Sequence, residues 1–258
     1  MSETILYEHP VNELLRVCLR LEYLLQQTEH YIAQADYFAS RTALANLIDI
    51  INVLDRPDLR SKLTTELLRY KEIIQRLSSK NETEIDNKKL EQLITGLSTH
   101  ISHLENNYGR LGQELRDDEF LSAVRYALGR PGGAWNFDLP LYHHWLQQAP
   151  KKRSADLSRW FNTFTEIKTI LAALLHVVRD WAASPTIIQV ENGFYQMVLD
   201  PKLPYQLLQL WVPLEADVIP EISFGKHRLT IRLLDVDYAQ RPQQTTKNID
   251  CEMKLCVL

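Results

Sequence analysis

Over roughly the first 183 residues the apolar positions return every three or four residues, the period of a helix that buries one stripe. Asn12 to Gln27 is the first such stretch, with Leu14, Cys18, Leu21 and Leu25 on its stripe, Pro10 ahead of it and Asn12 placed to cap it. Arg41 to Leu54 follows with Leu44, Leu47, Ile48, Ile51 and Leu54. Asp55-Arg56-Pro57-Asp58 then reads as a stop and restart, with Pro57 suited to the first position of the next helix. That third helix carries Leu63, Leu67, Leu68, Ile73 and Leu77. Ser78 to Glu82 is a polar break, and a fourth helix runs through Leu90, Ile94, Leu97, Ile101 and Leu104. A short helix fits Asp117 to Leu128, ahead of the loop Gly129-Arg130-Pro131-Gly132-Gly133. Asp138 is placed to cap a helix from Pro140 to Gln148, and one long helix is predicted over Asp156 to Ala183, carrying Trp160, Phe164, Ile167, Leu171, Leu174, Leu175 and Val178.

After Ser184-Pro185 the period drops to two. Thr186–Val190, Phe194–Leu199, Gln206–Val212, Arg228–Val236 and Cys251–Val257 are rich in β-branched and aromatic residues and are punctuated by Gly, Pro, Asn and Asp. Helices first and strands afterwards predict an α+β chain. The expected organisation is an N-terminal α-helical bundle domain over 1–183 and a C-terminal antiparallel β-rich, barrel-like domain over 184–258.

Composition changes this picture little. Hydrophobic residues make up 45% and charged residues 24% of the 258, ordinary for a globular chain. The net charge of -4 argues against a protein coated in cation for nucleic acid, so any anion binding must come from a local cluster. MSETILYEHP has neither a basic n-region nor an apolar h-region, so no secretory signal is expected. The most apolar run, Ile170 to Val178, is too short to span a bilayer. Three cysteines give no disulfide framework, and Cys251 and Cys256, five apart, fall on opposite faces of a strand. A reduced, cytoplasmic protein without a membrane contact is the expectation.

Catalytic templates are missing: there is no GxxxxGK[ST], no GxGxxG and no HExxH, and no Glu has a His three residues later to build a di-iron site. His143 and His144 point about 100° apart on a helix. His100 and His103 share a face without carboxylate or thiol companions in the sequence. No enzyme, metal or cofactor is predicted.

The basic residues carry more information. In Gly225-Lys226-His227-Arg228-Leu229-Thr230-Ile231-Arg232-Leu233, the residues Lys226, Arg228, Thr230 and Arg232 share one strand face, opposite Leu229, Ile231 and Leu233. Steps of about 7 Å between these cations mean that they repel unless an anion, a carboxylate or water intervenes. A solvated outer face is the plain alternative. Arg16 and Arg20 stack four apart on the first helix, with Glu13 able to offset Arg16. Arg56 sits at the helix break, and Arg116 and Arg125 bracket the short helix.

Several blocks together resemble the ZapD family of cell-division proteins. They are Tyr7-Glu8-His9-Pro10-Val11-Asn12-Glu13 with Arg16, Leu19-Arg20 and Glu22-Tyr23-Leu24; Pro131-Gly132-Gly133 with Asn136-Phe137-Asp138-Leu139-Pro140; Asn192-Gly193-Phe194-Tyr195-Gln196; and the strand from Gly225 to Arg232. They stand in family order over nearly the whole chain. The resemblance implies a homodimer, with the helical domain serving dimerisation and part of a basic surface. It also implies binding to the C-terminal tail of the tubulin-like GTPase FtsZ, cross-linking of its filaments, and recruitment to the mid-cell division site. The matching basic positions are Arg16, Arg20, Arg56, His143, Arg228 and Arg232; Arg116 and Lys226 join them as candidates from the basic pattern. Glu119 stands where the family can carry a basic residue, and Trp135 replaces a smaller residue in the signature loop. The alternative from another class is a nucleic-acid-binding module using Lys226 to Arg232. GXXG spacings at Gly109/Gly112 and Gly129/Gly132 only faintly resemble a backbone clamp. A cofactor-free hydrolase whose triad is assembled in space is a third.

Overall fold

Asn12 opens the first helix as its side chain predicts, accepting a hydrogen bond from the Leu15 backbone N–H at 2.8 Å. The structure, a computed structural model, describes residues 3–78, 84–106, 109–130, 133, 135–180 and 184–258. The polar break at 79–82, Pro131, Gly132 and the predicted end of the last helix at 181–183 lie outside them. The described residues form an α+β fold: helices α1 (Glu13–Gln34), α2 (Tyr37–Leu54), α3 (Leu59–Ser78), α4 (Glu84–Asn106), α5 (Gln113–Arg116), α6 (Glu119–Leu128), α7 (Pro140–Leu146), α8 (Pro150–Asn162) and α9 (Thr165–Asp180), with strands β1 (Thr4–Pro10), β2 (Thr186–Val190), β3 (Phe194–Val198), β4 (Tyr205–Pro213), β5 (Val218–Phe224), β6 (Arg228–Asp235) and β7 (Ile249–Val257).

The chain divides into two units, Val17–Leu175 and a second made of Met1–Arg16 with His176–Leu258. The opening residues, predicted to belong to the helical domain, thus join the strands instead. The reason is pairing: β1 runs antiparallel to β4, Thr4 opposite Pro213 and Pro10 opposite Leu207.

In the helical unit α2 is the most buried element, with Ala43, Leu44, Leu47, Ile50, Ile51 and Leu54 at the core. Asp36 caps it, accepting from the Ala39 N–H at 2.9 Å. Arg60 at the start of α3 donates to the Leu104 carbonyl near the end of α4 at 2.9 Å, consistent with the two helices running antiparallel. Three local expectations change. Pro57 precedes α3 by two residues and lies in the turn, where the Leu59 N–H bonds the Arg56 carbonyl. Asp138 does not cap α7, which starts at Pro140 after Leu139; it accepts instead from the Trp135 N–H at 3.4 Å. The single long helix is two, bent by 58°. At the break the N–H groups of Thr163 and Phe164 bond three residues back, to Trp160 and Phe161, tightening the turn until α9 restarts. No single helix among the described residues is long and apolar enough to cross a membrane.

Arg153, on α8, is buried at 5% exposure. It donates from Nε to Ser40 Oγ (3.1 Å), from Nη1 to the carbonyls of Leu146 (3.2 Å) and Gln148, and from Nη2 to the carbonyl of Ala35 (3.1 Å). One side chain thereby joins the turn after α1, the first turn of α2 and the α7–α8 connection.

The strands form two antiparallel sheets, ordered β1-β4-β7-β2 and β3-β6-β5. Neither closes on itself, so the barrel-like expectation gives way to two facing sheets. Ile188, Val190, Leu208, Leu210, Val212, Cys251 and Met253 from the first share one core with Val218, Leu229, Ile231 and Leu233 from the second. β5 lies outside the predicted set because Pro220 interrupts its pattern. It is an edge strand, which tolerates a residue with no N–H. Glu8 of β1 receives Nε and Nη2 of Arg179 at 2.9 and 2.7 Å and Nε2 of Gln209 at 2.9 Å, which anchors the end of α9 to the first sheet. Cys18, Cys251 and Cys256 are free and buried, and burial pushes their thiols up, to about 12 for Cys18 and about 11 for the other two. They are held as thiols and behave as small apolar side chains.

Candidate functional site

Strand parity decides which side chains of β6 meet solvent. Leu229, Ile231 and Leu233 are fully buried between the sheets, so Arg228 and Arg232 are exposed on the outer face with Thr230 between them. Register then fixes their neighbours. Arg228 pairs with Val198 of β3, Thr230 with Gln196 and Ser223, and Arg232 with Phe194 and Glu221. Val198 is 80% exposed and Phe194 39%. The outer face of the β3-β6-β5 sheet is therefore a cationic line flanked by open apolar side chains. Arg232 has a 3.6 Å ion pair with the exposed Glu221, a contact weak enough in water to be exchanged for another carboxylate. Arg228 and Lys226 have no ion-pair partner among the described residues. Lys226 lies in the tight turn into β6, where the Gly225 N–H donates to the Arg228 carbonyl at 2.9 Å.

The other predicted residues fall in different places. Arg16, in the same unit as this sheet, is exposed and pairs with Glu13 at 3.3 Å, as its spacing suggests. Arg20 is exposed further along α1, and Arg56 is exposed at the α2–α3 break. His143, exposed on α7, lines a recess of about 350 Å³ with Tyr37, Arg41, Trp135, Tyr142 and Leu146. Trp135 is 59% exposed and stacks on Phe137 at 6.4 Å, so the larger residue in that loop forms an open aromatic rim. Glu119 opens α6, where a carboxylate favours the positive end of the helix dipole.

Arg116 is removed from the accessible set. Its side chain is 8% exposed and Nε lies 3.2 Å from Asp55 Oδ1. Arg110 shares that oxygen at 3.1 Å, and Arg125 takes Oδ2 at 3.1 Å. Three guanidiniums from separate segments thus converge on the residue that ends α2. The Arg125 hydrogen bond, followed by the charges of Arg116, Arg125 and Arg110, holds the Asp55 carboxyl below its ordinary value despite partial desolvation. A carboxyl whose folded pKa is depressed stabilises fully above its unfolded pKa of about 4 and loses that contribution as pH falls through the lower folded value. The urea midpoint should therefore drop on acidification below about pH 4, and Asp55→Asn should flatten part of that drop. An identical acid slope in both proteins would remove Asp55 from the acid response.

His103 has a carboxylate companion invisible in the sequence: Glu166 of α9, 3.8 Å from Nδ1. Burial lowers the pKa of His100. Among the described residues no group of three His, Cys, Asp or Glu is arranged to hold a metal.

The family model described as "ZapD: Cell division protein" matches residues 19–232. A protein named Cell division protein ZapD from Coxiella burnetii (strain RSA 331 / Henzerling II) is 38% identical over 258 residues, covering 99% of both chains. Its namesake in Bordetella petrii is 34% identical over 252 residues, covering 98% of this chain and 99% of that one. Another, from Methylococcus capsulatus, is 31% identical over 258 residues and all of both chains. Full-length identity at this level, with a family match over most of the sequence, shows that the chain belongs to the ZapD family of cell division proteins.

Proposed function

We propose that this chain is a non-enzymatic adaptor that binds the acidic, partly apolar C-terminal tail of FtsZ and, as a homodimer in the cytoplasm at mid-cell, cross-links FtsZ filaments into bundles. The observation that carries this reading is the outer face of β3-β6-β5, where Arg228 and Arg232 stand exposed between Val198 and Phe194. Guanidinium forks keep their charge when partly desolvated and match carboxylates, while the flanking side chains take apolar residues of the same peptide. Strand backbone on both sides preorganises these groups, so little entropy is lost in placing them. Lys226, Arg16, Arg20, Arg56 and His143 supply further contacts in this reading; Arg116 acts through Asp55. A flexible tail that orders on binding makes each contact modest, and two sites per dimer acting on repeated tails multiply it, by about 100-fold or more.

The test is co-sedimentation with GTP-assembled FtsZ at low and high salt, beside tail-truncated FtsZ. Pelleting that fades at high salt and with the truncated protein is expected. Arg228→Ala with Arg232→Ala should weaken it about tenfold or more with unchanged circular dichroism. Equal pelleting by the double variant would remove the sheet face from the contact.

Phe194 also supports a second reading. It places an aromatic ring beside the cations, the pairing that a single-stranded nucleic-acid groove uses, although β6 itself has none. Oligonucleotide binding lost in the same double variant, with no FtsZ pelleting, would favour that reading.

A further inference from the structure

The convergence of Arg110, Arg116 and Arg125 on Asp55 leaves far more donors than acceptors. Each guanidinium brings five N–H groups, and the two Asp55 oxygens are already shared among all three. The three nitrogens of Arg116 are buried, and none donates a hydrogen bond among the described residues; its approach to Asp55 is a charge contact only. Asp117 is the other acid that acts on Arg116, and it is exposed and already accepts from Gln113 Nε2 at 2.9 Å. A buried guanidinium so poorly satisfied is costly unless something further compensates it.

Access comes from the other two arginines. Arg110 is 57% and Arg125 36% exposed, so each guanidinium is open to solvent while it contacts Asp55. Arg125 borders an open recess of about 530 Å³ lined also by Ser122, Tyr126, Gly129 and Arg130. Arg110 borders a separate recess of about 390 Å³.

We infer that the Asp55-centred arginine cluster is a binding site for a dianionic phosphate group, held between Arg110 and Arg125, with Arg116 as a buried positioning residue behind Asp55. A tetrahedral dianion suits the arrangement better than another carboxylate. It offers acceptors in several directions to two guanidinium forks, and its second charge offsets the cationic surplus. The site lies within the helical unit and does not draw on β6; Arg116, behind Asp55, is the residue it shares with the filament reading, so the test is read at Arg110 and Arg125, which that reading does not use.

The experiment uses the full chain, titrated with orthophosphate and with a nucleoside monophosphate against chloride at matched ionic strength. Thermal unfolding and the side-chain Nε–H resonances of the arginines are followed. A saturable rise in the unfolding midpoint of about 3 °C or more is expected. It should be accompanied by shifts at Arg110 and Arg125 and none at Arg228 or Arg232. Arg110→Gln with Arg125→Gln should abolish the rise, while Lys62→Gln, at an exposed pair elsewhere, should keep it. A response to orthophosphate identifies the free ion as sufficient; a response to the ester alone identifies a phosphorylated small molecule. The resonance shifts test the wild type even if the double variant is unstable. No response to either probe, an unsaturable one, or shifts confined to β6 would overturn the site.

Discussion

Replacing Arg153 with Met is expected to cost about 3–5 kcal/mol and to lower the unfolding midpoint by about 10 °C. The reason is the company Arg153 keeps. It is buried with no carboxylate within ion-pair distance among the described residues, and its charge is stabilised by one hydroxyl and three carbonyls, those of Ser40, Leu146, Gln148 and Ala35. Met fills much of the same volume, but every one of those acceptors loses its donor, and a buried acceptor without a donor bears its full desolvation cost. Ala35 is most affected. It sits at φ 60 in the left-handed region after α1, and the Arg153 Nη2 bond helps hold that turn. Lys at 153 should recover little, because one ammonium cannot reach acceptors spread around a planar fork. Urea denaturation followed at 222 nm checks this. Hydrogen exchange at Ala35 to Ser40 and at Leu146 to Gln148 should accelerate before the rest of the helical unit. A midpoint within error of the wild type would show that these carbonyls are satisfied in another way.

Arg153 also marks the limit of what the sequence discloses. In Lys151-Lys152-Arg153 nothing separates the third cation from its neighbours, yet Lys151 and Lys152 are exposed and Arg153 is buried. Its acceptors lie up to 118 residues away. Arg116 is hidden for the same reason, since the Asp55 that draws it inward stands at the end of α2, some sixty residues earlier in the chain. Arg228 and Arg232, by contrast, were legible. A period of two fixes strand faces locally, and three buried aliphatic residues on one side leave only one exposure for the other. The register that adds Val198 and Phe194 to that face depends on pairing and was not. Elements follow the same division. A helix with a strong stripe and a local cap, such as α1, and a strand with clean alternation, such as β6, can be read directly; α2 starts at Tyr37, four residues before the expected Arg41, because Asp36 caps it. β1 was missed because its hydrogen bonds depend on a strand some 200 residues later. The α8–α9 break was missed because no Gly or Pro marks it; the turn is made by backbone bonding at Thr163 and Phe164.

Gly193→Ala is the second large effect, expected at about 3–4 kcal/mol, and it connects the sheet fold to the candidate surface. Asn192 and Gly193 form the two-residue turn that carries the chain from β2 in one sheet to β3 in the other, with φ 48 and 68, and the Phe194 N–H closes it on the Glu191 carbonyl at 2.9 Å. Asn tolerates that region; Ala pays about 1–2 kcal/mol to enter it. The larger part is steric. A Cβ at 193 would lie 2.5 Å from the Thr245 carbonyl oxygen and 2.9 Å from that of Leu233, and both are backbone atoms that cannot swing aside. The surrounding bonds hold them there: the Leu233 N–H donates to the Gly193 carbonyl at 2.9 Å, and the Thr245 N–H to the Leu233 carbonyl at 2.9 Å. Relief therefore requires β3 to move relative to β6, and Phe194 and Arg232 are the register pair next to the clash. Gly193→Ala should lower both the unfolding midpoint and any binding that uses the outer sheet face. Arg232→Ala should weaken that binding alone, its side chain being exposed and buried nowhere in the core. Measuring both variants by thermal unfolding and by co-sedimentation separates the two effects. A Gly193→Ala protein as stable as the wild type would mean that the turn relaxes without disturbing β6, and the Asn192-Gly193 block would then lose its place as the support of the site.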